Sequence, residues 1–187
     1  MRTQSKSELR AELLKKRRAL QTAERTQAAE QLLGRLKNSN LISSNSVVAA
    51  YWPMMDEIDV RPVIHWLHEK NIVCALPCLV SVDQPLLFRQ FSKDDLLAKT
   101  QLNVSQPHDH APLVTPDIIL VPTVGFDRRG YRIGMGGGFY DRTLATSAGR
   151  IIGVGYAVSE IENVPVEPHD IRLHAILTEK ELIEIAP

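Results

Sequence analysis

The chain carries no net charge, because 22 Lys and Arg balance 22 Asp and Glu across its 187 residues. No global positive field is available to hold a nucleic-acid backbone, so an anionic ligand would need a focal basic pocket. Long apolar runs are missing too: none approaches the roughly 18 residues of a membrane span, which excludes that kind of insertion. Cysteine is scarce. Cys74 and Cys78 share the run IVCALPC, which is neither a CxxC redox pair nor half of a four-ligand zinc site, so no disulfide framework or metal follows. The N-terminus has no apolar signal core, and Glu8 and Glu12 count against a transit peptide, so the expectation is a cytoplasmic protein. With 44% hydrophobic and 24% charged residues at the length of one ordinary domain, residues 1–187 read as a single globular unit.

Ser5 followed three residues later by Glu8 is a capping-box pattern, and Leu9, Leu13 and Leu20 recur after it near helical spacing. Thr22 is placed to cap a second helix with Ala28, Ala29, Leu32, Leu33 and Leu36 on one face, ending in NSNLISSNS. Two helices thus precede the first strand. VVAAYW then reads as a strand, Asp59 and Pro62 open a short helix to about Lys70, and IVCALP is a second strand. LLFRQF is a third, weaker strand, and DIILVP, after the loop PHDHAP, has the continuous apolar character of a strand buried on both faces. RIIGVGYAV reads as a further strand. Strands alternating with helices predict an α/β fold in three layers, a mostly parallel sheet covered by helices, with its ligand crevice at the carboxyl ends of the strands.

Between DIILVP and RIIGVGYAV lies PTVGFDRRGYRIGMGGGFYDRTL, with Gly134, Gly136, Gly137 and Gly138 ahead of a helix predicted to start near Phe139. Glycines allow successive backbone N–H groups to approach an anion, though by themselves they also read as a tight turn. Arg128, Arg129, Arg132 and Arg142 flank them, so guanidinium groups and backbone donors could meet one phosphate chain. Neither common nucleotide motif fits: no GxxxxGK[ST] occurs, and Phe139 stands where GxGxxG needs its third glycine.

The string GFDRRGYRIGMGGGFYDR resembles the signature of the 5-formyltetrahydrofolate cyclo-ligase (methenyltetrahydrofolate synthetase) family. Weaker pieces extend the resemblance over nearly the whole chain: KSELRAELLKKR against KxxLRxxLxxxR, DEID after a strand, and the closing PVEPHD. The resemblance implies an ATP- and Mg²⁺-dependent enzyme that turns 5-formyltetrahydrofolate into 5,10-methenyltetrahydrofolate with release of ADP and phosphate. The route it implies is phosphorylation of the formyl oxygen, then ring closure by N10.

Carried over by position, the resemblance assigns ATP to Arg132, Ile133, Gly134, Met135, Gly136, Gly137, Gly138, Phe139, Tyr140 and Arg142, and to Lys6 and Arg10 on the first helix. Arg132 and Tyr140 take the catalytic part. By spacing alone Lys6 and Arg10, four residues apart, share one helix face that reads as solvated. Folate falls to Trp52, Glu57 and the loop from Met135 through Gly136, Gly137 and Gly138 to Phe139. Glu57 suits pterin N–H donors, whereas Trp52 reads equally as ordinary packing at a strand end. Mg²⁺ falls to Asp141 and Asp170, with Glu167 as the alternative to the second.

The sequence departs from the family pattern at several points. Met135 and Gly137 are neutral where many members carry Lys or Arg, and Phe139 precedes Tyr140 where many have two tyrosines, so the cationic role falls on Arg132, Arg142 and Lys6. Leu102 stands where some members have an aromatic residue. Lys15, Lys16, Arg17 and Arg18 read as an exposed basic turn suited to a helix C-terminus. His65 with His68, and His108 with His110, lack the further ligands of a zinc site and read as surface histidines. The expected partners are small molecules, with no nucleic acid or membrane, and the chain is expected to be a monomer or weak oligomer. The alternative function is a nucleotide- or folate-binding relative without turnover, in a regulatory role.

Overall fold

The computed structural model describes residues 4–100 and 104–186, which leaves Leu102 outside the described residues. Helix α1 (Lys6–Ala19) starts as its sequence predicts: Ser5 Oγ accepts from Glu8 N–H, and Glu8 reaches back to Ser5 N–H at 2.8 Å. Helix α2 (Thr22–Asn38) takes Thr22 as its first residue and not as its cap, because Glu24 accepts the N–H of Gln21 at 2.7 Å and fixes the start one residue earlier.

Strand β1 (Val47–Ala49) is shorter than VVAAYW; Tyr51 and Trp52 leave the ladder ahead of Pro53. Helix α3 (Arg61–Glu69) begins where Asp59 accepts the Arg61 N–H and Pro62 presets the helical φ. Then come β2 (Val73–Cys78), β3 (Leu87–Gln90), β4 (Leu97–Lys99) and β5 (Ser105–Pro107). They are followed by β6 (Ile118–Pro122), β7 (Gly125–Phe126), β8 (Arg132–Ile133) and helix α4 (Phe139–Leu144). Strand β9 (Arg150–Val154) stops before Gly155, where the chain turns into a 3₁₀ segment over Ala157–Ser159. Strands β10 (Ala175–Leu177) and β11 (Leu182–Glu184) complete the chain.

Seven strands form one sheet in the order β11-β10-β9-β6-β1-β2-β3. Its five inner strands are parallel, and β3 and β11 close the edges antiparallel. Alternation along each inner strand divides the core. Val48, Leu120 and Ile152 face α2 and α3 through Leu32, Leu36, Ile64 and Leu67. Ala49, Ile119 and Val121 face the other side, against Phe126 and Leu144. The sheet is therefore the middle of three layers, as the alternating sequence pattern requires. Helix α1 lies apart from these layers: Leu13 packs against Val124, Ile133 and Val164 beside the β7–β8 hairpin.

Among the described residues no helix is long and apolar enough to cross a membrane. Cys74 and Cys78 are free and buried, and burial pushes their thiols up to about 12 and about 11, which leaves both unreactive at neutral pH.

Candidate active site

From β1 the chain runs through α3 to β2 on one side, and from β6 through α4 to β9 on the other, so the neighbours β1 and β6 mark the point where the winding reverses. Sheets of this kind open a crevice there, outside the carboxyl ends of their strands. A cavity of about 490 Å³ occupies that place. Tyr51 and Trp52 follow β1, Pro77 and Leu79 come from the end of β2, and Thr123 and Val124 follow β6. The glycine loop forms one wall and α1 another.

Helix α1 faces the cavity with Lys6, Arg10, Leu14 and Arg17. At about 100° per residue Lys6, Arg10 and Arg17 fall within roughly 40° of one another, so three cations share the wall. Lys6 and Arg17 are eleven residues apart, about 16 Å along the axis, which gives the crevice two distinct ends.

At the first end, Lys6 Nζ lies 2.6 Å from Asp170 and 2.7 Å from Glu167. Its ammonium is held above its ordinary value by hydrogen bonds to these acids, which outweigh the opposing effect of burial. Arg132, with only 4% of its side chain exposed, donates to Asp141 Oδ1 at 2.6 Å and to the Ile171 carbonyl at 2.9 Å. Asp141 Oδ1 also accepts from Ile171 N–H, while its Oδ2 has no hydrogen-bond partner among the described residues. Two of the cations predicted for phosphate, Lys6 and Arg132, are thus held in place by acids.

The glycine loop joins these groups. Gly136 and Gly138 have φ of +96° and +66°, conformations that L side chains rarely adopt, which is the backbone reason for glycine at both positions. Arg10 donates from Nε to Gly134 O at 2.7 Å, and its guanidinium carbon lies 3.5 Å from where a Cβ on Gly136 would stand. Met135 is exposed on the loop, Gly137 follows, and Phe139 begins α4. At six residues α4 is too short for its dipole to carry an anion site, so any capacity to hold an anion here rests on the loop and its cations.

Two predicted loop residues turn elsewhere. The Ile133 side chain is buried beside Leu13, away from the cavity. Arg142 bends back over the Phe139 ring at 5.1 Å and donates to Val82 O and Gly137 O, so it braces the loop from outside the cavity. The cationic role expected of Arg142 is available from Arg10 instead.

At the second end Glu57 accepts the Met54 N–H at 2.9 Å, and burial raises its carboxyl above the ordinary 4.5, opposed by that hydrogen bond and by the charge of Arg17. Burial, reinforced by Glu57, also pushes the Tyr140 phenol far up, so it stays a hydrogen-bond donor. Tyr51 is spent structurally, donating to Ile58 O at 3.0 Å. Trp52 meets Phe91 edge to face, with centroids 5.9 Å apart. Phe91 O in turn lies 2.8 Å from His68 Nε2, which corrects the reading of His68 as a surface group; His65, His108 and His110 are exposed as expected.

Arg17 is the larger correction. Lys15, Lys16 and Arg18 are exposed, but Arg17 is 2% exposed and donates from Nε to Asp56 O at 3.0 Å. Its spacing of seven from Arg10 and eleven from Lys6 was the available signal, because both intervals return to one helix face. Asp141 lines the cavity beside the loop, and Asp170 stands with Glu167 and His169, whose ligand atoms lie within 4.8 Å of one another.

A doubly wound sheet with a glycine loop, paired cations and acids at one end of its crevice and an aromatic-carboxylate end opposite is the architecture of an α/β enzyme with a crevice of two chemically distinct ends. A family description, the 5-formyltetrahydrofolate cyclo-ligase family, matches residues 2–179. A 5-formyltetrahydrofolate cyclo-ligase of Haemophilus influenzae is 32% identical over 95% of this chain and 99% of its own. One from Mycolicibacterium smegmatis is 34% identical over 96% of each chain. A solved 5,10-methenyltetrahydrofolate synthetase from Aquifex aeolicus superposes with a TM-score of 0.86 at 29% identity, covering 97% of this chain and 93% of that one. The chain belongs to the 5-formyltetrahydrofolate cyclo-ligase family.

Proposed function

We propose that the chain converts 5-formyltetrahydrofolate to 5,10-methenyltetrahydrofolate, using ATP and Mg²⁺ and releasing ADP and phosphate. The observation that carries this reading is the single crevice with a cationic, glycine-lined end and a Glu57–Trp52 end about a helix length apart. A formamide oxygen is a poor leaving group. Transfer of the γ-phosphoryl group to that oxygen breaks a P–O bond of ATP, releases ADP and makes the formyl carbon electrophilic. N10 then attacks that carbon and gives up its proton; the C–O bond breaks and phosphate departs, leaving the methenyl bridge. Lys6, Arg10 and Arg132 neutralise the phosphate chain, the loop N–H groups bind its oxygens, and Tyr140 donates as a neutral phenol. Glu57 accepts pterin N–H groups, and Trp52 packs on the ring.

The donor set suits Mg²⁺, which takes oxygen ligands and needs few carboxylates when phosphates and water complete its shell. Asp141 offers the freer oxygen, Oδ2, whereas Asp170 has both oxygens on Lys6 and would have to release it. Bound there, the ion would supply charge neutralisation to the phosphates. The same reading makes the protein a cytoplasmic monomer or weak oligomer, one domain acting on small molecules.

Purified protein with 5-formyltetrahydrofolate and MgATP is expected to produce methenyltetrahydrofolate absorbance together with one ADP per turnover. Omitting ATP or chelating the metal should abolish the signal. Ligand binding without ADP formation would support the alternative of a binding protein, and product without nucleotide would contradict the cyclo-ligase reading.

A further inference from the structure

Arg17 is 2% exposed, lines the cavity, and uses one of its donors, Nε, on the carbonyl of Asp56; among the described residues its two terminal nitrogens have no hydrogen-bond partner. The side chain is packed in while these donors open into the cavity, where they are free to meet a ligand. Its neighbours do not take them up. Asp56, the acid whose backbone carbonyl Arg17 binds, has its carboxylate already held by Arg25 at 2.7 Å and Arg18 at 3.3 Å. Glu57, the next residue, makes no ion pair with Arg17 within 4.0 Å, and its carboxylate accepts from Met54 N–H.

Arg17 and Glu57 therefore present a fixed donor and a fixed acceptor to one end of the crevice, joined through the Asp56 carbonyl. Together they are neutral, which argues against an anionic group such as a glutamate tail at this point. Resting on the folate reading above, we infer that Arg17 is a substrate-recognition residue that donates to the 4-oxo group of the pterin, while Glu57 accepts from the adjacent N3–H and 2-amino groups. The oxo oxygen beside two N–H donors is the pattern an arginine beside a carboxylate can read. The pair would then set specificity for a 4-oxo pteridine over one with a hydrogen-bond donor at that position.

The test is calorimetric binding of 5-formyltetrahydrofolate and of its 4-amino-4-deoxy counterpart to wild type, Arg17→Gln and Arg17→Lys, with ATP affinity as the control. In Arg17→Gln the ratio of oxo to amino affinity should shift toward the amino ligand by on the order of tenfold, the worth of one charge-assisted hydrogen bond. Arg17→Lys keeps the charge, loses the anchor on Asp56, and should retain part of the preference; it also serves if the Gln variant fails to fold. Equal weakening of both ligands in these variants would reduce Arg17 to a brace for residues 54–57 and overturn the inference. Wild type that binds ATP but neither pteridine would overturn the folate reading itself, a distinguishable result.

Discussion

Arg132→Ala is expected to slow turnover by roughly 10²–10³-fold, the range seen when a preorganised charge at the reacting group is removed. The loss combines two effects of one guanidinium. It is nearly buried, bridges Asp141 at 2.6 Å and the Ile171 carbonyl at 2.9 Å, and so fixes both the carboxylate proposed for the metal and the cation proposed for the phosphoryl group. Asp141 then lacks its partner in a partly buried site, which should cost about 1.5–3 kcal/mol of stability. Arg132→Lys keeps the charge but not the fork, and should fall between alanine and wild type. Rates measured well below each variant's melting temperature separate the effects. A lower melting temperature with near-normal turnover would make Arg132 a structural tie only.

Glu57→Gln should weaken folate binding by on the order of 100-fold, because the carboxylate proposed to accept two pterin donors loses its charge and half its accepting capacity. ATP affinity should stay unchanged. The unliganded protein should at the same time become more stable at neutral pH. The sign follows from the raised carboxyl: because the folded state holds this proton more tightly than the unfolded chain does, stability falls as pH rises from 4.5 through the folded value and stays lower above it. Gln never ionises, so its advantage is present at pH 7 and vanishes below about 4.5. Denaturant melts at two pH values and calorimetry with each ligand check both halves. A loss confined to ATP would contradict the assignment of Glu57 to folate.

How much of this was visible in the sequence depends on how local each signal is. The capping box at Ser5 and Glu8, the apolar run Ile118–Val121 and the glycine loop each declare themselves within a few residues, and each stands where expected. The two- and three-residue strands β4, β5, β7, β8, β10 and β11 do not, since two or three residues are too few to show an alternation even though each pairs with its neighbour in sequence. At the site, residue type was readable and direction was not. Lys6 and Arg132 were legible as cations, but their tethering by Asp170 and Asp141 depends on segments over 160 and nine residues away in sequence. Arg142 points out of the crevice because carbonyls at Val82 and Gly137 capture it. Arg17 was concealed inside a run of four basic residues, although its spacing from Lys6 and Arg10 puts it on their helix face, the one that α1 turns to the crevice.

The central claim is that this crevice brings the γ-phosphoryl group of ATP to the formyl oxygen of the folate. Single turnover with 5-formyltetrahydrofolate labelled with ¹⁸O in the formyl group reads that bond directly. If the oxygen is phosphorylated and leaves on ring closure, the label appears in the released inorganic phosphate, one atom per methenyltetrahydrofolate formed; label recovered in water with unlabelled phosphate would contradict it.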